Sequence, residues 1–210
     1  MNSSFRSSLA LAVALGASAL LASASPHSYD FKDPKGVNNV QFSLDAPLES
    51  ITGTGTGITG TVVFDPANPA AIRGRIVLST PSLTVGNPVM ADHLRGDDWL
   101  AVASHPEIVF EASGARNVRS EGGRIVADVE GRLSVKGVTR DVIVPVSFAH
   151  LPDRLGARVG DPNVKGDLLV IRANFAIKRS DFGIQAGQMT DKVAEEIQLS
   201  LSIAGAAPRA

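Results

Sequence analysis

Gly131-Arg132-Leu133-Ser134-Val135-Lys136-Gly137-Val138-Thr139-Arg140-Asp141-Val142-Ile143-Val144-Pro145-Val146 is the stretch whose reading decides the fold. Apolar side chains alternate on either side of the glycine-bearing turn Lys136-Gly137. A half-buried antiparallel hairpin requires that pattern. The alternation continues outward in both directions. Upstream, Ile125, Val129, Leu133 and Val135 face away from Asp128, Glu130 and Arg132; downstream, Val142, Val144, Val146 and Phe148 share a face. Further period-2 segments place Val40, Phe42 and Leu44 together, then Ile58, Val62 and Phe64, then Ile72, Ile76 and Leu78, then Ile108 and Phe110. Ile171, Phe175 and Ile177 follow, then Val193, Ile197, Leu199, Leu201 and Ile203. Such segments, separated by Gly, Pro, Asn and Asp turns, predict an all-β sandwich or barrel. Several exceed the usual strand length, and closure into a barrel removes their unpaired edges.

One region breaks the period. Asn87 before Pro88 is a good helix start, predicting a helix through Arg95 with Val89, His93 and Leu94 on one side. Asp97–Ala101 is read as a second short helix, and the pair is placed to plug one end of the barrel. Residues 1–24 combine Arg6, an apolar run from Leu9 to Ala22 and Ala22-Ser23-Ala24, the pattern of a secretory signal peptide. Residues 25–210 are read as one exported domain, periplasmic or secreted, with a frayed tail at Ala206–Ala210 and no membrane span.

The chain has no cysteine, which excludes disulfides and thiol chemistry, and a formal net charge of −1 without a basic cluster, which excludes a nucleic-acid footprint. Gly55-Thr56-Gly57-Ile58-Thr59-Gly60 fits G-x-G-x-x-G, but a strand follows where a nucleotide site needs a helix. Asp161–Gly166 mimics a calcium loop, yet Arg172 stands where the bidentate Glu belongs. The four histidines (His27, His93, His105 and His150) lack metal-site spacing, and no nucleophile comes with a base. No metal, cofactor or catalytic residue is therefore expected. What remains is the interior, which is either packed solid or hollow enough for a ligand. Counting by twos from Ile171 puts Arg179 inward at its strand end. There it either meets an anionic group such as a phosphate or pairs with Asp181 and Asp191.

Four passages, in order, resemble the YceI-like family: Gly60–Pro69; Asp92–Leu100 with His105–Phe110; the opening hairpin; and Ile177-Lys178-Arg179-Ser180-Asp181-Phe182-Gly183-Ile184. The likeness runs from about Ser28 to Ala204. It departs in Phe42–Pro47, which lacks the histidine the pattern often has there, and at Ala91 and Trp99. The resemblance implies an extended antiparallel lipocalin-like β-barrel, with a short helical insertion capping one end, that holds a long isoprenoid lipid, polyprenyl or quinone-like. The expected lining is Phe42, Val62, Ile76, Leu78, Leu94, Phe110, Val129, Leu133, Val144, Phe148, Ile171, Phe175, Ile177, Leu199 and Leu201. His93 and Arg179 are the head-group candidates. Expected partners are an isoprenoid lipid or similar amphiphile, with a homodimer left open. The rival reading is a packed barrel that binds an envelope protein and has no interior cavity; a third, enzymatic reading needs a polar cluster at the mouth.

Overall fold

The computed structural model describes residues 26–209. The signal-peptide reading therefore lies outside the described residues. The decisive hairpin forms as read. β8 (Arg124–Val135) and β9 (Val138–Leu151) pair antiparallel, with Val129 opposite Val144 and Val135 opposite Val138. Lys136 and Gly137 between them both have positive φ, 49° and 75°, the geometry of a two-residue turn that matches strand twist.

The other strands are β1 (His27–Asp30), β2 (Asn39–Asp45), β3 (Ser50–Gly55), β4 (Ile58–Phe64), β5 (Arg73–Ser79), β6 (Thr84–Val85), β7 (Glu107–Glu121), β10 (Lys165–Lys178) and β11 (Glu196–Arg209). They form an 8-strand closed antiparallel barrel, because three of its rows are broken into two pieces each. β1 and β2 make one row, β3 and β4 the next, β5 and β6 the third. β11 closes the ring by pairing with β2 through residues 198–202 and with β1 at Ala206. In the gap between β1 and β2, the buried Asn38 replaces the missing ladder. Its Nδ2 donates to the Phe31 and Ala204 carbonyls at 3.2 Å each, and its Oδ1 accepts from the Ala204 amide at 2.9 Å. A buried amide satisfied on both sides holds the seam shut where no strand does.

Gly57 (φ 67°) lies in the break between β3 and β4 and Gly60 (φ 122°) within β4, so the glycine-rich run bends a strand row and precedes no helix. At Asp161 the carboxylate accepts from the Asn163 amide at 2.9 Å, a local turn. The tail read as frayed is instead strand: Ala206 to Arg209 pairs with Lys165–Leu168. Small side chains hid the alternation there, and backbone pairing needs none.

α1 (Pro88–Arg95) starts as expected, Asn87 Oδ1 accepting from the amides of Val89 at 2.9 Å and Met90 at 3.3 Å. Two expectations nearby are corrected. Residues 97–100 form turns, with Gly96 carbonyl accepting from Trp99 and Ala101, and Ala101 takes a left-handed φ of 47° that no helix continues. Val89 is exposed; the inward face of α1 is Met90, His93 and Leu94, the i, i+3, i+4 stripe. A second helix, α2 (Leu155–Val159), packs against β10 and β11 at the opposite end. Among the described residues no helix is long and apolar enough to cross a membrane.

Candidate functional site: an apolar cavity in the barrel

The barrel is hollow. A cavity of about 510 Å³ runs inside it, a size typical of small-molecule sites. Every apolar residue expected to line it does so: Phe42, Val62, Ile76, Leu78, Leu94, Phe110, Val129, Leu133, Val144, Phe148, Ile171, Phe175, Ile177, Leu199 and Leu201 all stand on its wall. Strand parity accounts for all but Leu94, which α1 carries, since inward positions recur every second residue along a strand. The packed-barrel reading expected no such space.

Glycines on the inner wall explain why the space stays open. Gly53 sits opposite Phe42, Gly131 lies diagonal to Phe110, and Gly205 faces Phe31. In each case the ring takes the room a side chain would need: a Cβ at Gly131 would come within 2.7 Å of the Phe110 ring and one at Gly205 within 2.6 Å of Phe31. Phe42 and Phe110 stand on the cavity wall, whereas Phe31 is wholly buried in the core and off it. Ala112 stands between Gly74 and Gly131, which leaves that layer lined by small residues. Neither alternation nor composition reveals such pairs. They depend on register between strands far apart in sequence.

The cavity opens at the end where β8 turns into β9. There the wall includes the exposed residues His93, Met189 and Lys192, with Glu49, Trp99 and Leu100 beside them. Wall residues near this mouth, such as Phe42, Phe175, Ile177 and Leu199, are only half-buried, whereas Val62, Val129, Val144 and Phe148 deeper down are buried. Apolar surface left partly wet inside a concavity favours an apolar guest, by roughly 0.8 kcal/mol per CH₂ it covers.

Arg179 does not do what either expectation assigned it. Its side chain is 1 % exposed. Nε donates to the Ala194 carbonyl, Nη1 to those of Ile184 and Gln185, and Nη2 to those of Gln188 and Val193. The five N–H groups of a guanidinium are thus all taken. Its acidic neighbour is Glu195, at 3.7 Å, rather than Asp181 or Asp191. Glu195 in turn accepts from the Ser180 amide at 3.0 Å; hydrogen bonding from Ser180, together with Arg179, holds its carboxyl below the ordinary range. Arg179 therefore shapes the mouth loop, residues 183–195, around itself and offers no free donor to a head group. Asp181 and Asp191 are nearest in sequence, but carbonyls of a folded-back loop are not legible from it. His93 remains at the mouth, exposed and on the wall.

The far end is closed and polar. Phe64 and Phe148 stack there with ring centroids 5.0 Å apart, and Phe64 is fully buried. Near them His150 Nε2 lies 3.3 Å from Asp167 Oδ2, while Asp167 Oδ1 accepts from the Asp153 amide at 3.0 Å and meets Arg209 at 3.3 Å. Burial works to raise the Asp167 pKa, but these donors outweigh it and hold it below the usual value. Tyr29, also fully buried, has a hydroxyl without a hydrogen-bond partner, and burial followed by the nearby Asp167 charge pushes its pKa up to about 12. Asp33 closes the neighbouring loop, accepting from the amides of Val37 and Asn38 at 2.6 Å each and pairing with Arg158 of α2 at 3.4 Å. Among the described residues no three His, Asp or Glu side chains are grouped to hold a metal ion.

Comparison with known proteins agrees with this architecture. The sequence model of the YceI-like domain matches residues 33–204. A UPF0312 protein of Azotobacter vinelandii is 30% identical over 153 residues, covering 73% of this chain and 72% of its own. Protein YceI of Escherichia coli O157:H7 is 28% identical over 153 residues, with coverage of 73% and 72%. Among solved structures, Burkholderia cenocepacia BcnA superposes with a TM-score of 0.65 at 23% identity, covering 80% of this chain and 95% of that one. A polyisoprenoid binding domain from Saccharophagus degradans, implicated in plant cell wall breakdown, superposes with a TM-score of 0.61 at 11% identity, covering 88% and 100%. These two likenesses speak to fold. Together with the extent of the domain match, they place the chain in the YceI-like domain family.

Proposed function

We propose that this protein is an exported carrier or store for a long isoprenoid lipid, polyprenyl or quinone-like, which it holds tail-first in the barrel cavity without catalysis. The observation that carries the reading is the cavity itself: apolar-walled, open at one end, and floored by aromatic rings at the other. The polyisoprenoid-binding description of the Saccharophagus domain supports the same ligand class. An apolar tail gains from every methylene it removes from water, and a pre-formed tunnel selects by width and length. The mouth favours a head group without net charge. Its buried cation is fully occupied by carbonyls, and Glu49 and Lys192 bring one charge of each sign to the rim.

The chain's single tryptophan, Trp99, lies on the wall and provides an intrinsic reporter. Titrating a long-chain prenyl quinone into the protein is expected to quench its fluorescence saturably, and native mass spectrometry should recover a one-to-one complex. Ala112→Phe, which projects a ring into the layer flanked by Gly74 and Gly131, should abolish both signals while the melting temperature changes by only a few degrees. Empty protein that ignores prenyl lipids, or Ala112→Phe binding as well as wild type, would overturn the reading.

A further inference from the structure

The chain contains three methionines, Met1, Met90 and Met189, and no cysteine. Both methionines of the described residues stand on the wall of the same cavity, at its mouth. They reach it from separate elements: Met90 from the inward stripe of α1, and Met189 from the loop that Arg179 organises. Met189 is 49% exposed and Met90 half-buried, so solvent-borne reagents reach them. Met189 also holds its loop turn directly, in a left-handed conformation (φ 53°), its carbonyl accepting from the amides of Lys192 at 3.0 Å and Val193 at 2.8 Å. Most of the remaining wall is Val, Ile, Leu and Phe, which peroxide leaves alone; Trp99 and His93 stand on it too, but a thioether reacts with peroxide far more readily than an indole or an imidazole.

From this placement we propose that Met90 and Met189 are an oxidation site that releases the bound lipid, an inference that rests on the lipid-binding reading above. The reagent is a peroxide. Its terminal oxygen passes to the thioether sulfur as the O–O bond breaks and the S–O bond forms. Sulfur is oxidised by two electrons, and hydrogen peroxide is reduced to water. A flexible, apolar, polarisable side chain becomes a polar sulfoxide. Two such dipoles at the neck of an apolar tunnel oppose the tail that must lie against them, because a buried polar group without a partner is unfavourable. The change is reversible by methionine sulfoxide reductases, which makes it a switch rather than damage.

The test treats the full protein with hydrogen peroxide, maps oxidation by peptide mass spectrometry, and measures binding of a fluorescent prenyl probe before oxidation, after it, and after reductase treatment. The expected result is sulfoxide at Met90 and Met189 with Trp99 intact, affinity weakened roughly tenfold or more, and recovery on reduction. The Met90→Leu/Met189→Leu variant, whatever its starting affinity, should keep that affinity unchanged on peroxide treatment. Untreated wild type that fails to bind any prenyl probe would sink the lipid reading and this inference with it. Unoxidised methionines, unchanged affinity after complete oxidation, or equal loss in the double Leu variant would overturn the inference alone.

Discussion

The two ends of the barrel are built from the same strands yet treat charge in opposite ways. At the mouth, one buried guanidinium gives all its donors to backbone carbonyls of a single loop. At the closed end, side chains pair with side chains: His150 and Arg209 with Asp167, Arg158 with Asp33. The first arrangement props a loop open and leaves the wall apolar. The second ties strand ends and a short helix across the lumen and seals it. Hollowness at one end and closure at the other thus come from where the polar groups point, since the strand pattern hardly differs between them.

That contrast can be broken from either side. The largest effect is expected from Arg179→Met, which leaves buried carbonyls without donors. Stability should fall by about 3–5 kcal/mol, and amide exchange should rise first across residues 183–195, before any strand. Simultaneous loss of protection in β9 and β10 would show that the loop is not a separate unit.

Asp167→Asn should cost less, about 1–3 kcal/mol, because backbone and histidine hydrogen bonds partly survive. Its signature is in the pH profile. The Asp167 carboxyl is depressed in the folded state, so the stability it contributes is fully present above the ordinary aspartate pKa of ~3.9 and is lost as pH falls through the folded value. Asp33 is shifted in the same direction, backbone amides outweighing burial, so the variant should flatten the acid limb of the melting curve without erasing it. An unchanged acid limb in Asp167→Asn would mean that the closed end is not what fails in acid. The smallest effect, about 1 kcal/mol, is expected for Asn87→Ala, which removes the cap of α1. Prenyl affinity should weaken more than the melting temperature drops, since α1 carries Met90, His93 and Leu94 on the wall. Equal affinity would demote α1 from the site.

Most of the barrel was legible beforehand, and so was its inner wall, because parity along a strand is a local property. The strand residues expected on the wall, from Phe42 to Leu201, needed only counting by twos, and Leu94 only the helical spacing of α1. The same counting carried past Phe148 to His150, and back from Leu169 to Asp167, would have found the polar cluster beyond the aromatic floor, had the runs not been taken to stop where apolar residues stop. Arg179 shows where counting fails: its inward direction was readable, its partners were not, since they are carbonyls, which no residue type announces. The split rows were likewise hidden, because Asn38 holds the seam through an amide that looks like any loop asparagine.

By itself the sequence determined that these segments are strands and which face of each turns inward, while a sandwich and a barrel both fitted the pattern. Only the tertiary structure decided that the interior is empty. Volume is a property of register: Phe42 meets Gly53 and Phe110 lies beside Gly131, positions where no side chain competes with the ring, and only the pairing of distant strands sets that match.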